Sequence, residues 1–287
     1  MKGRILYAKP YAESKIEELK VRVEKLNKTP KLVIIRVEGD EASERYVRNK
    51  NKRADEVGIE HETILFPSDV SQEEVKNKIE ELNSDDNVDG ILLQLPLPKH
   101  LDEHYLTNQI CPLKDADGFT IWNSGLLALG QPNLVSCTPS GIIGLLKYYN
   151  IDLKGKDVLI INSSNIVGKP LSQLLLIEGA TPTIAHIHTQ NLKDKIKRAD
   201  IIVSATGQLR FLNADDFVEG QIIVDVSINV NELGKLEGDV DKSDYDKLIE
   251  KNVSIVPVPG GIGVTTVISL IENVIEVVER REIKGEI

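Results

Sequence analysis

The stretch Lys156-Asp-Val-Leu-Ile-Ile-Asn162-Ser-Ser-Asn-Ile-Val-Gly168-Lys-Pro170 decides the fold. Its apolar first half has the pattern of a buried strand, and a helical pattern resumes from Gly168 to about Ile177. A strand, a short polar turn and a helix form the unit on which a dinucleotide's phosphates sit, against free amides and the positive end of the helix. Only Gly168 is present, so this is not a G-x-G-x-x-G loop. Further short strands follow at 183–187, 200–204, 221–225 and 254–257, with a helix over 192–199. That alternation predicts a parallel, nucleotide-binding-type sheet.

The same rhythm runs upstream. A helix over 14–26 precedes a strand at Lys31–Val37, which Pro30 and Gly39 bound. Ser43 is the expected N-cap of a helix that Gly58 stops. A strand at Glu60–Phe66 leads to a helix over 71–82, with Ser71 as cap and Glu74 as its capping-box partner. A strand over 88–95 follows. Thr138-Pro139-Ser140-Gly141 opens a helix to about Tyr149 and begins a second domain. The last helix, from Thr265 to about Arg280, is long and apolar enough to pack back on the first, and Thr265 or Thr266 is its expected cap. The expected division is therefore 1–137 completed by 268–287, and 138–267.

The 287 residues carry a net charge of −10, which argues against a general nucleic-acid binder. No apolar run approaches the ~20 residues of a membrane span, and the basic N-terminus lacks an apolar signal core. Two cysteines, Cys111 and Cys137, cannot build a disulfide framework, so a reducing cytoplasm is the expected setting.

Four motifs carry chemistry. In Ser43-Glu-Arg-Tyr-Val-Arg-Asn-Lys-Asn-Lys52, Tyr46 and Lys50 stand four apart and share a helix face. A ring beside a cation suits a flat, electron-rich substrate, and a lysine can move protons. Taken alone, the run reads first as a solvated basic face, and the motifs that follow shift that reading. Gln94-Leu-Pro-Leu-Pro98 leaves a strand. Its prolines stiffen a loop that holds Gln94 at the carboxyl edge of the sheet, or simply form a rigid exit. Lys114-Asp-Ala-Asp-Gly-Phe119 is a tight turn or a carboxylate for an amino-heterocycle. It lacks the ligands of an EF-hand. Val256-Pro-Val-Pro-Gly-Gly-Ile-Gly-Val-Thr-Thr266 offers backbone to a ligand at Gly260, Gly261 and Gly263. His186 and His188 have no third partner for a metal, and none is expected.

In this order the motifs resemble the bifunctional methylenetetrahydrofolate dehydrogenase/methenyltetrahydrofolate cyclohydrolase family over nearly the whole chain. They include C-T-P-x-G at Cys137, S-x-I-V-G-x-P and P-V-P-G-G-x-G. The resemblance implies two α/β domains flanking a cleft, the second Rossmann-like, and a homodimer through the nucleotide domain. It implies oxidation of 5,10-methylenetetrahydrofolate with NADP, or possible use of NAD, then addition of water to give 10-formyltetrahydrofolate. Lys50 would be the catalytic lysine, Gln94 its support, Tyr46 the ring that stacks on folate and Asp117 the acceptor for the pterin. Folate would also touch Leu93, Leu95, Pro259, Gly260, Gly261 and Thr266. The nicotinamide cofactor would lie along Asn162, Ser163, Ser164 and Gly168, near Ile187, Gly207 and Ile228.

The departures fall on the nucleotide side and the shared loop. Asn162 and Ser227 stand where the family usually has glycine, and Val264-Thr265 replaces Pro-Met. A side chain at Asn162 is expected to crowd the pyrophosphate, making dinucleotide affinity modest. Ser163 and Ile187 lack the groups that read a 2′-phosphate in many members, and no acid ends the 183–187 strand to favour NAD. The competing readings are a cyclohydrolase with weak or lost dehydrogenase activity and a non-catalytic folate binder.

Overall fold

The computed structural model describes residues 2–39 and 41–286, the side chains of 41–43 excepted. Contacts divide the chain into two compact units. The first comprises Ser14–Cys137 and Val267–Ile287, the second Met1–Glu13 and Thr138–Thr266. Among the described residues no helix is long and apolar enough to cross a membrane.

The chain enters through α1 (Lys9–Val23), then β1 (Lys31–Val37), α2 (Glu41–Val57), β2 (Glu60–Phe66), α3 (Gln72–Ser84) and β3 (Gly90–Leu93). Short helices α4 (Glu103–Thr107) and α5 (Ile121–Ala128) follow. The three strands form a parallel sheet in the order β2-β1-β3, with Leu32 level with Gly90. Val33, Ile35, Ile79, Ile91 and Leu106 share its core. Every residue of β3 is buried, whereas the edge strand β2 is largely exposed. Gly90 is required where it stands, since a Cβ there would lie 2.6 Å from the side chain of Val274.

The expected capping box is present: Glu74 N–H donates to Ser71 Oγ at 3.3 Å, and Ser71 N–H to Glu74 Oε2 at 3.0 Å. Helix α2 starts at Glu41, so Ser43 falls inside its first turn rather than at its cap, and its side chain lies outside the described residues. Helix α1 starts five residues before the expected 14. Pro10 is tolerated there because first-turn amides have no intrahelical partner to lose.

The second unit continues with α6 (Cys137–Tyr148), β4 (Asp157–Ile161), α7 (Gly168–Ile177), β5 (Thr181–Ala185), α8 (Leu192–Arg198), β6 (Ile201–Ser204) and β7 (Ile222–Asp225). A small hairpin, β8 (Asn229–Val230) with β9 (Leu236–Glu237), precedes α9 (Tyr245–Glu250), β10 (Ser254–Val256) and α10 (Ile262–Ile283). The large sheet is wholly parallel, in the order β10-β7-β6-β4-β5. Strand β4 has β5 on one side and β6 on the other, so the chain leaves it in opposite directions. Open parallel sheets bind ligands at such a switch point.

The first thirteen residues differ from expectation by clustering with the second unit. Leu6 N–H donates to Ile255 O at 2.7 Å and Ile255 N–H to Arg4 O at 3.0 Å, which covers the edge of β10. Helix α10 starts at Ile262, so Thr265 and Thr266 do not cap it. Both hydroxyls donate back to Ile262 O at 3.0 Å from inside the helix.

From Val267 onward α10 belongs to the first unit. Its Asn273 Nδ2 donates to Ala116 O at 2.8 Å and Val135 O at 3.0 Å. Replacing Asn273 by Leu leaves both carbonyls buried without this donor. Urea unfolding should show a loss of about 1–3 kcal/mol; a change under about 0.5 kcal/mol would mean that water replaces the amide freely.

Candidate active site

Parallel strands in the first unit deliver their following loops to one edge, and Gln94 leaves β3 there, its N–H held by Ile35 O at 2.8 Å. Helix α2 presents Lys50 to it. The Lys50 ammonium donates to Gln94 Oε1 at 2.8 Å and keeps 9 % of its surface exposed. Gln94 Nε2 donates to Leu95 O at 2.7 Å, which fixes which end of the amide faces the lysine. The Leu95–Pro96 peptide is cis. Tyr46, one turn before Lys50, is 39 % exposed, as a stacking surface must be.

The two acids of the Lys114–Phe119 run have separate tasks. Asp115 builds the turn: its carboxylate accepts from Phe119 N–H at 3.1 Å, Thr120 N–H at 2.8 Å and Asn123 Nδ2 at 2.9 Å. Gly118 completes it at φ 69°, where a Cβ would lie 2.6 Å from the backbone of Val135. Asp117 is thereby spared structural work. The residue keeps some exposed surface, yet burial of the carboxyl itself raises its pKa; Lys50 opposes that shift and Asp115 adds to it. The Cys137 thiol lies close to the Asp117 carboxylate, and burial pushes that thiol's own pKa well up. Cys137 also reaches Ala116 O at 3.4 Å, and Asn273 Nδ2 lies 3.7 Å from its sulfur.

Pro259, Gly260, Gly261 and Thr266 lie in the second unit. Gly260 has φ 101°, and its carbonyl accepts from Ala8 N–H at 2.8 Å. A Cβ on Gly261 would lie 2.4 Å from Pro257 O. Thr266 Oγ1 is 3.1 Å from Thr138 Oγ1.

The loop after β4 is arranged differently from expectation. Asn162 Oδ1 accepts from Ser164 N–H at 2.8 Å, Ser164 Oγ at 2.7 Å and Gly168 N–H at 3.0 Å. Its Nδ2 donates to Ala205 O at 2.7 Å. The side chain therefore turns into the loop and ties the exits of β4 and β6 together, while taking two amides expected to be free. Ser227 behaves alike: its hydroxyl accepts from Gly207 N–H at 2.9 Å. Asp239, wholly buried, accepts from Ser204 Oγ and Thr206 N–H at 2.7 Å and Gln208 N–H at 3.1 Å. Asp225 accepts from Asp239 and Val240 N–H, and burial pushes its pKa up to about 7 against these donors. Ser163 is exposed, Ile187 is 92 % exposed, and Ile228 borders Gly263. His186 Nδ1 accepts from His188 N–H at 3.2 Å. Among the described residues no group of three or more His, Cys, Asp or Glu side chains could hold a metal ion.

Sequence reasoning missed Asp239, Cys137 as a partner of Asp117, and Asn273. Cys137 carried a signal, its place in the C-T-P-x-G motif. Asp239 and Asn273 carried none, because both act across long sequence separations.

A family model for the tetrahydrofolate dehydrogenase/cyclohydrolase catalytic domain matches residues 6–117, and one for that family's NAD(P)-binding domain matches 136–282. The bifunctional protein FolD of Agathobacter rectalis is 44 % identical over 267 residues, covering 92 % of this chain and 95 % of that one. The crystal structure of the bifunctional enzyme FolD, a methylenetetrahydrofolate dehydrogenase/cyclohydrolase from Campylobacter jejuni, superimposes with a TM-score of 0.93 at 40 % identity, over 96 % of this chain and 99 % of that one. The Trypanosoma brucei enzyme, complexed with NADP cofactor and an inhibitor, gives 0.90 at 30 % identity, over 98 % and 99 %.

Asn162→Gly removes the acceptor shared by the Ser164 and Gly168 amides. Both should exchange with deuterium faster by at least about tenfold, the equivalent of ~1.4 kcal/mol. Unchanged protection would show that the loop holds its shape without the side chain.

Proposed function

The chain belongs to the tetrahydrofolate dehydrogenase/cyclohydrolase family, and we propose that Lys50, Gln94, Tyr46 and Asp117 carry its folate chemistry on the first unit. The protein oxidises 5,10-methylenetetrahydrofolate to the methenyl form with NADP and hydrolyses that form to 10-formyltetrahydrofolate. The observation that carries the assignment is the 2.8 Å bond from a nearly covered lysine to Gln94, with Asp117 close enough for Lys50 to oppose its pKa shift.

The methenyl carbon is already electrophilic, so the protein's task is to place water and move protons. Lys50 takes and returns a proton at Nζ. Gln94 holds that ammonium at one point, because its own amide is locked by Leu95 O. Tyr46 offers its ring to the flat substrate, which would also touch Leu93 and Leu95. Asp117 accepts hydrogen bonds from the amino-heterocycle, and the Cys137 thiol steadies it from behind.

The residues of the second unit fit a phosphorylated dinucleotide. Strand β5 ends at Ala185 and is followed by His186, Ile187 and His188, so no acid repels a ribose 2′-phosphate. Asn162, Ser163, Ser164 and Gly168, with Gly207 and Ile228, would hold the cofactor, and Pro259–Gly261 with Thr266 would offer backbone and hydroxyl to folate. When bound, NADP supplies the hydride acceptor. Asn162 and Ser227 keep the surrounding loops in shape, which supports a working dehydrogenase despite the missing glycines. A homodimer in a cytoplasmic setting completes the proposal, in keeping with two cysteines left unpaired.

Lys50→Met keeps most of the apolar stem but cannot exchange a proton. Methenyltetrahydrofolate hydrolysis should fall by at least about a hundredfold with folate affinity little changed. Near-normal hydrolysis would remove Lys50 from the reaction.

Asp117→Asn should weaken folate binding by about 1.5–3 kcal/mol, read by calorimetric titration, with the urea midpoint nearly unchanged. Because the folded pKa of Asp117 is raised, its carboxylate is lost on acidification earlier than an ordinary one. Wild-type affinity should therefore decline at a pH above the usual carboxylate range, and the Asn variant should lack that decline. An easily unfolded variant with normal folate affinity would make Asp117 a turn residue.

A further inference from the structure

A cavity of about 530 Å³ opens in the first unit at the edge of the sheet opposite to Gln94. Lys28, just before β1, and Asp86 and Asn87, just before β3, form part of its wall, with the last turns of α10 beside them. Gln94 leaves the other end of β3, and a seven-residue strand such as β1 spans about 20 Å. The cavity is thus separate from the Lys50 site.

Its charge is one-sided. Lys28, Lys114, Arg280, Arg281 and Lys284 line it, against two acids, Asp86 and Glu286. Asp86 and Glu286 make only long contacts, at 3.9 Å to Arg281 and 4.0 Å to Lys284, and the closer partner carboxylates, Asp89 and Glu276, are not among the lining residues. Asp89, 0 % exposed, is shared by Lys28 Nζ at 2.8 Å and Arg281 Nη1 at 3.0 Å, two cations on one acid. Glu276 meets Arg280 at 2.8 Å. Lys114 is the informative member. Its ammonium is caged by the carbonyls of Leu82, Asn83 and Asp85 at 3.0, 2.9 and 2.7 Å, and among the described residues no carboxylate lies within ion-pair distance. Burial lowers its pKa, and Arg281 adds to the effect over the opposing pull of Cys111 and nearby acids. A cation fixed by neutral dipoles is built into the wall without a counter-charge of its own, and an anion in the cavity would supply one. Leu134 and Val277, both buried, give the cavity an apolar floor. Lys284, its side chain 62 % exposed, stands at the rim 4.0 Å from Glu286.

We propose that this cavity binds a small multivalent anion bearing phosphate or carboxylate groups. Lys114 and Arg281 supply a fixed positive field, and Lys284 and Arg280 meet the ligand at the rim. The volume suits a metabolite-sized molecule.

The probes are pyrophosphate and citrate, titrated into the full-length protein at low salt and followed by calorimetry and by methyl NMR shifts of Leu134 and Val277. Binding of either with Kd near or below about 1 mM is expected, with those methyls shifting. Lys284→Glu and Arg280→Gln, which leave Lys114 and Asp89 untouched, should each weaken it at least about fivefold, roughly 1 kcal/mol. Whichever probe binds names the source of the anion. No binding of either probe at about 10 mM would overturn the proposal. So would binding that both variants leave unchanged, or that NADP displaces with the methyls unmoved, which would place the anion on the loop after β4.

Discussion

Parallel strands cannot be joined by a tight turn; each needs a crossover connection, usually a helix, before the next begins. Every loop that leaves such a sheet on one side therefore comes from the same end of its strand. In the first unit that rule brings Gln94 from β3 to the helix α2 that follows β1, so Lys50 meets its partner although 44 residues separate them. In the second unit it brings the exits of β4, β6 and β7 together, so that Asn162, Gly207 and Ser227 share one edge. The chemistry is possible because the topology leaves these groups nowhere else to go.

Much of this was legible because the signals were local. The strand at Lys31–Val37 holds the apolar run Leu32–Ile35, and the Ser71–Glu74 box is a four-residue pattern with its own hydrogen bonds. Tyr46 and Lys50 share a face by helical arithmetic alone. Helices α4, α5 and α9 escaped because they span only 5, 8 and 6 residues, too short for a period to repeat. The start of α10 was misplaced for another reason. Two threonines look like caps, but a threonine within a helix can bond to the carbonyl a turn behind it instead. The placement of residues 1–13 could not be seen either, since it depends on β10 having an open edge some 250 residues away.

The positions that depart from the family teach a more specific lesson. Glycine is needed where a Cβ has no room or where φ is positive. Asn162 shows neither condition; its side chain finds four hydrogen bonds inside the loop. Gly168 does show the first, because a Cβ there would lie 2.1 Å from Asn162 O. A glycine can thus be exchanged for an amide that caps from within, provided that its neighbour stays bare. The expected crowding of the pyrophosphate rested on volume alone, whereas the side chain turns into the loop.

Helix α10 lends its final four turns to the unit that was begun near residue 14. Val274 covers Gly90, and Asn273 ties down the segment between Ala116 and Cys137. During synthesis these residues emerge roughly 130 positions after Cys137, and at about 5–20 residues per second the delay is on the order of ten seconds. Throughout that interval the nascent chain holds β3 with one face bare, while the whole intervening sheet is being made. The order of manufacture therefore runs against the order of assembly: the unit whose strands are made first is the one that is finished last.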